Sequence, residues 1–335
     1  MIFTWPRFLM QSLAGIMKHI VMFSGGIGSW MTAKRVIEKY GTENTILLFA
    51  DVKGEGRCLT CDHMFSQHIN GRGPCDVKSE SGEYCGCTSF VDNPHVGEDE
   101  DTYRFIDDAV ASLKAPLVRV MDKKKRDIWK VYETRRFLGN SRQANCSIEG
   151  KQKPCMEWLR ENVKPDEGII YVGIDWTESH RLPAVQKAYE KYGYQAQAPL
   201  CEPPYMDKEQ MIEAAKADGI KPPRAYAKGY PHNNCGGFCV RAGKAQFKML
   251  LDENRERYLF HEGQEKKLQD YLGKPVTILT EVRKGEKIPL TLRSFRERQE
   301  EQKSLFDDDE FDWGGCGCFS QFEDEKPLDN DGTLS

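Results

Sequence analysis

The run Ser24-Gly25-Gly26-Ile27-Gly28-Ser29 follows an apolar, β-prone stretch at 19–23 and opens a helical pattern at 29–40 that Gly41 stops. A strand that turns on glycines straight into a helix commits the chain to an α/β layer. Such a turn frees backbone N–H groups to face an anion, and the helix N-terminus adds partial positive charge. The same rhythm continues downstream. Residues 45–50 form a continuous apolar run, as a strand covered on both faces does. Residues 98–114 read as a helix, with Tyr103, Ile106, Val110 and Leu113 on one face. Further strands are expected at 117–121 and 168–174, and further helices at 127–137 and 182–192. Alternating strand–helix units predict a parallel sheet with right-handed crossovers and a ligand site beyond the strands' carboxyl ends.

One segment breaks the rhythm. Residues 54–97 show little periodicity but hold five of the twelve cysteines. A structureless loop of that length is improbable unless something else organises it. The pattern Cys58-x-x-Cys61-x-His63, followed by His68, Cys75 and Cys85-x-Cys87, is a zinc signal. The ligand set expected is Cys58, Cys61, Cys75 and Cys85, with Cys87 or His68 as substitutes. Close pairing inside a chain of 335 residues argues against a secreted disulfide scaffold. The expected division is an N-terminal extension at 1–16, an α/β domain at 17–53 and 98–220, and the metal-binding insert at 54–97. A C-terminal subdomain at 221–299 and an acidic tail at 300–335 complete it. The extension carries an arginine and a short apolar stretch but no evident cleavage site, so either Met17 is the natural start or residues 1–16 are a loose extension. The tail holds twelve acidic and two basic residues, leaving 46 basic against 40 acidic in the rest. A mildly basic body suits a phosphate-bearing ligand or nucleic acid, and equally an ordinary solvated surface.

The glycine loop resembles the PP-loop, S-G-G-x-D-S, of the ATP pyrophosphatase and phosphoadenosine-phosphosulfate (PAPS) reductase superfamily. It lacks the lysine of the Walker pattern and the spacing of the dinucleotide fingerprint. Phe49-Ala50-Asp51 is similar to that superfamily's F-x-D segment, and Gly173 through Glu178-Ser179 to Arg181 to its G-x-x-x-x-E-S-x-x-R segment. Cys146-Ser147, Lys151 and Pro154 resemble the C-C-x-x-x-K-x-x-P segment of the reductase branch. The resemblance covers 18–245 and implies a five-stranded Rossmann-like sheet of HUP type and an adenine nucleotide, either ATP or an adenylyl sulfate (PAPS or APS). It gives phosphate or sulfate binding to Ser24, Gly25, Gly26, Gly28 and Ser29, and a ribose hydroxyl or magnesium to Asp51. Gly173 and Glu178 join the nucleotide site, with Lys151 and Arg181 as catalytic cations. Gly28 stands where ATP-hydrolysing members carry Asp, and Ser147 replaces the second tandem cysteine.

The resemblance also implies a [4Fe–4S] cluster that draws on Cys146, Cys235 and Cys239; with Ser147 in place of the second tandem cysteine, Cys155 is the candidate for the fourth ligand. Zinc suits the same set. Cys316 and Cys318, in a glycine-rich stretch of the tail, are the candidate nucleophiles. Three functions remain open: sulfur chemistry on an adenylyl-linked species, ATP-dependent sulfur modification of a nucleic acid, or a non-catalytic nucleotide-sensing or DNA-binding module. A thiol or sulfur-donor protein is the expected partner and the cytoplasm the expected compartment. No membrane is expected, since no apolar run approaches the ~20 residues of a span.

Overall fold

The computed structural model describes residues 17–139 and 143–301. Five strands form one parallel sheet: β1 (Lys18–Met22), β2 (Thr45–Asp51), β3 (Leu117–Met121), β4 (Gly168–Tyr171) and β5 (Gln195–Gln197). Their order is β3-β2-β1-β4-β5, so the chain starts in the middle, builds outward to one edge, then returns and builds toward the other. The strand order reverses between β1 and β4, which places a crevice at their carboxyl ends.

Both faces of the sheet are covered, which is why the central strands read as unbroken apolar runs. On one face Val21, Leu47 and Phe49 pack with Trp30 and Val36 of α1 (Ile27–Tyr40) and with Phe105, Ile106 and Ala109 of α2 (Glu100–Leu113). On the other, Ile20, Met22 and Leu48 meet α5 (Lys153–Asn162) and α6 (Leu182–Glu190) through Cys155, Leu159, Val185 and Tyr189. Asp99 caps α2, accepting from the Asp101 N–H at 2.8 Å, as an aspartate at that position should.

A third core lies beside the sheet. It joins Trp129 and Tyr132 of α3 (Ile128–Arg135) to Phe247 and Leu250 of α9 (Lys244–Glu253), Tyr258 and Leu268 of α10 (Arg255–Leu272), the hairpin β6 (Leu279–Arg283) and β7 (Glu286–Leu290), and Phe295 of α11 (Leu292–Glu301). Three short or intermediate helices complete the set: α4 (Asn145–Ser147), α7 (Lys208–Ala217) and α8 (Arg224–Ala227). A π-helical turn at Ile148–Gln152 separates α4 from α5.

The segment 54–97 leaves the sheet after β2 and returns before α2. Its two ends touch: a Cβ added to Gly97, whose φ is +82°, would stand 3.0 Å from the Lys53 Cα. Inside it the chain makes isolated bridges and two 3-10 turns, around a centre formed by Cys58, Cys75 and Cys87. Side chains anchor it outward. Arg57 pairs with the buried Asp127 at 2.5 Å, and Asp62 accepts from Lys267 of α10 at 2.6 Å. No helix among the described residues is long and apolar enough to cross a membrane.

Candidate functional site

An open cleft of about 260 Å³ lies at the reversal point between β1 and β4. Its floor is the glycine loop. Gly25 has φ +77°, and a Cβ there would meet Thr102 Cγ2 at 2.9 Å and Ile106 at 3.0 Å, so only glycine fits. Gly28 and Gly173 bring the two strand ends together: a Cβ on Gly173 would lie 2.9 Å from the Ser29 N, and one on Gly28 3.3 Å from the Gly173 carbonyl. The glycine at 28, where the resemblance leads one to look for Asp, is therefore matched to a close backbone approach. The Ser29 hydroxyl donates to the Gly26 carbonyl at 2.8 Å and accepts from the Ser24 N–H at 3.2 Å, which closes the loop on itself.

The walls are charged and polar. Arg181 ends a 3-10 turn, Trp176–Arg181, that Asp175 caps through the Thr177 N–H at 2.9 Å. Its guanidinium pairs with Glu178 at 2.6 Å, while its Nε is buried without a hydrogen-bond partner among the described residues. Lys208 faces the same cleft and donates to the Pro231 carbonyl at 2.6 Å. His232 is held neutral, its pKa lowered to about 4 first by burial and then by the Lys208 charge. Asn233 pins the loop from outside, donating to the Gly25 carbonyl at 2.9 Å. The Tyr226 hydroxyl accepts from the Ile27 N–H at 3.1 Å.

Of the residues expected at a nucleotide, Ser24, Gly26, Gly28, Ser29, Gly173, Glu178 and Arg181 line this cleft. Three expected ones do not, and each has a physical reason. Gly25 is turned behind the loop against α2. Asp51 accepts from the Tyr103 hydroxyl at 2.8 Å and from the Lys53 N–H at 3.0 Å, which occupies its Oδ1. Lys151 is buried and paired with the Glu98 carboxylate at 3.0 Å. Lys208, Tyr226 and the His232-Asn233-Asn234 run were not anticipated for the site. Only the last left a trace in the sequence, as a polar cluster directly before Cys235.

Lys151 belongs to a second cavity, lined by Cys146, Cys235, Cys239, Tyr132 and Arg241. Three of the four expected thiols meet there. The phenol of Tyr132 is pushed well above its ordinary range, first by burial and then by the neighbouring sulfurs of Cys146, Cys239 and Cys235. Glu98 ties the two cysteine segments together, with one oxygen on Lys151 Nζ and the other on the Cys235 N–H. Cys235, Gly236 and Gly237 all take positive φ, and Gly236 lies against the buried Arg257 guanidinium, where no Cβ fits. Cys155 is a correction: it is fully buried in the core between the sheet and α5, and its thiol is pushed up to about 12 by that burial. It packs with Leu159 and Ile20 and lines neither cavity. Cys146, Cys235 and Cys239 are three sulfur donors around one cavity, the residues that would hold a thiolate-bound metal or cluster there. Arg241 also lines this cavity, whereas the Lys151 charge is already paired with Glu98. Cys316 and Cys318 lie outside the described residues.

In the insert, the expected quartet Cys58, Cys61, Cys75 and Cys85 is divided. Cys58 and Cys61 meet His68 and Cys87, while Cys75 and Cys85 meet Cys61 and His63; within each group the ligand atoms all lie within 4.8 Å of one another. Burial alone would raise the Cys58 thiol, but the N–H groups of Val91, Cys61 and Thr60 aimed at its sulfur bring it down to about 6. A thiol poised as thiolate by backbone N–H groups suits a metal ligand.

No family model matches the chain, and no curated protein matches it. Among solved structures, the PAPS reductase from Candida auris, in a phosphate complex, is similar at 13% sequence identity and a TM-score of 0.36. The match covers 67% of this chain and 82% of that one.

Proposed function

We propose that the chain is an adenine-nucleotide-binding enzyme of PAPS-reductase type, acting on an adenylyl-linked sulfur species. The observation that carries this reading is the run from His232 to Cys239. Its first three residues line the cleft of the glycine loop, and its two cysteines line the thiol cavity. One short segment thus links an anion-ready cleft to a cysteine trio. The glycine loop and the unpartnered Arg181 Nε suit a phosphate or sulfate, and Asp175 and Glu178 suit ribose hydroxyls or a hydrated magnesium. The trio suits a cluster that takes part in sulfur transfer.

In the reductase form a thiol breaks the sulfur–oxygen bond of the adenylyl sulfate. Two electrons from a pair of thiols leave sulfite, the nucleotide and a disulfide. Anaerobically purified protein given PAPS or APS with a dithiol should release sulfite. No sulfite from either nucleotide would overturn the reductase form.

A second reading is favoured by the trio itself, which gathers three thiols where a cluster takes four ligands. It is ATP-dependent sulfur modification of a nucleic acid. Pyrophosphate released from ATP only when nucleic acid is present would select it over the reductase.

A further inference from the structure

We propose that the insert binds two zinc ions that share the Cys61 thiolate, one completed by Cys58, His68 and Cys87 and the other by His63, Cys75 and Cys85. This inference stands apart from the nucleotide-enzyme reading and concerns residues outside both cavities.

The count of donors points there first. Two tetrahedral ions need eight ligand positions, and seven donors suffice when one is shared. The insert offers five cysteines and, with His63 and His68, seven donors. All seven fall into two groups of four, and Cys61 is the one residue common to both.

The distances agree. With zinc–sulfur bonds of about 2.3 Å and zinc–nitrogen bonds of about 2.0–2.1 Å, a tetrahedron has edges of roughly 3.8 Å between sulfurs and roughly 3.5 Å between sulfur and nitrogen. Cys58 and Cys87 sulfurs are 3.8 Å apart, and the Cys61 sulfur lies 3.5 Å from His68 Nε2. In the other group His63 Nδ1 stands 3.0 Å from the Cys75 sulfur, an edge that would open on loading. His68 is already oriented: its Nδ1–H can donate to the Gly73 carbonyl at 2.9 Å, which leaves Nε2 as the ligand atom. A ligating imidazole is commonly held this way through its other nitrogen.

The backbone explains the division. Gly86, at φ +77°, turns the chain between Cys85 and Cys87 and sends neighbouring cysteines to different groups. Asp62, at φ +60°, turns the chain between Cys61 and His63, which meet in the group with Cys75 and Cys85 while Cys61 also reaches the other group. A single ion would leave three of these donors packed together without a partner cation. Loading releases thiol protons to solvent and involves no oxidation.

The test uses the full-length protein with its zinc exchanged for cadmium-113 and read by proton–cadmium correlation. The Cys61 Hβ protons should correlate with two cadmium resonances, those of Cys58 and Cys87 with one, and those of Cys75 and Cys85 with the other. Correlation of Cys61 with a single cadmium would overturn the shared thiolate. His63→Ala should remove the Cys75/Cys85 resonance and keep the Cys58/Cys87 one; an unchanged spectrum would remove His63 from the site. If that variant does not fold, the wild-type correlations decide alone. Metal held by the Cys146 trio does not enter this readout, because the resonances are assigned through the insert's own cysteine protons.

Discussion

The Lys151 ammonium and the Glu98 carboxylate form a buried ion pair at 3.0 Å, with the side chains 7% and 0% exposed, respectively. Removing one partner from such a pair typically costs about 3–5 kcal/mol, because the other charge stays buried alone. Glu98→Gln should lower stability by that amount. It should also reduce the iron and sulfide recovered with the protein, since Glu98 fixes the Cys235 N–H as well. Urea denaturation and iron–sulfide analysis on the same preparation check both effects. Full cofactor content in a destabilised variant would separate the pair from the trio.

Gly25→Ala places a Cβ against Thr102 and Ile106 at a backbone conformation that alanine resists. Overpacking and left-handed strain together predict a loss of about 2–4 kcal/mol. Isothermal titration should also find nucleotide binding lost, as the loop that faces the cleft is displaced.

Arg181→Lys retains the charge but not the planar fork. Loss of one charge-assisted hydrogen bond predicts a roughly ten- to hundredfold weaker Kd for the nucleotide, with the circular dichroism spectrum unchanged. An unaltered Kd would remove Arg181 from the anion site.

Acid should destabilise the protein through its histidines. Burial lowers the pKa of His261 well below 6.5, that of His232 to about 4, and that of His19 below its ordinary value. The unfolded chain therefore takes up these protons first. Stability is fully present above about pH 6.5 and is lost as pH falls toward the folded values, at up to about 1.4 kcal/mol per pH unit for each group. His261→Phe should flatten the fall by one such increment. It should also lower the neutral-pH plateau, because Trp129 Nε1 donates to His261 Nδ1 at 3.0 Å. Urea midpoints measured from pH 7.5 to 4.5 show both.

Cys155→Ala and Cys239→Ala should behave differently. The first leaves a small gap in the sheet core and costs about 1–2 kcal/mol without changing the absorbance near 400 nm. The second should abolish that band. The pair of spectra tests the proposal that Cys146, Cys235 and Cys239, and not Cys155, hold an iron–sulfur cluster.

Four strands of the sheet were legible because the central ones carry unbroken apolar runs and the glycines stand at the turn that needs them; the count of five came from the resemblance. The strand expected at 168–174 ends at Tyr171, and the residues beyond it line the cleft instead. The third strand matched at 117–121 even though its burial is only partial. Two elements were hidden. The edge strand β5 is three residues long and polar at both ends. Helix α10 buries Arg257, His261, Glu262, Gln264 and Glu265 alongside Tyr258 and Leu268, so polar residues interrupt the apolar stripe of its inward face. The two carboxylates are paired across to the last helix: Glu265, with its pKa raised to about 7 by burial, accepts from the Leu292 N–H at 2.7 Å, and Glu262 accepts from Arg296 at 2.7 Å.

The site divides in the same way. The glycine loop and Arg181 of the cleft announce themselves by local pattern. The surroundings of Lys151 and Cys155 do not, because each depends on segments far apart in sequence, and the division of the insert's donors about Cys61 depends on how the chain turns between them. Cys155 lies four residues from Lys151 and nine from Cys146, a spacing that suggests a shared site. The π-helical turn between them rotates the following helix, and the Cys155 thiol faces the sheet.

Lys53 and Gly97 touch, so the cysteine-rich segment enters and leaves the sheet domain through a single point. The entropy of closing such a loop grows only slowly with its length. The parent fold therefore presents a socket at the carboxyl end of β2. Segments of other lengths, with other donors or none, could be seated there without shifting β2 or α2. A protein engineer could exchange the module whole, provided that Asp127 and Lys267 are given replacements for Arg57 and Asp62.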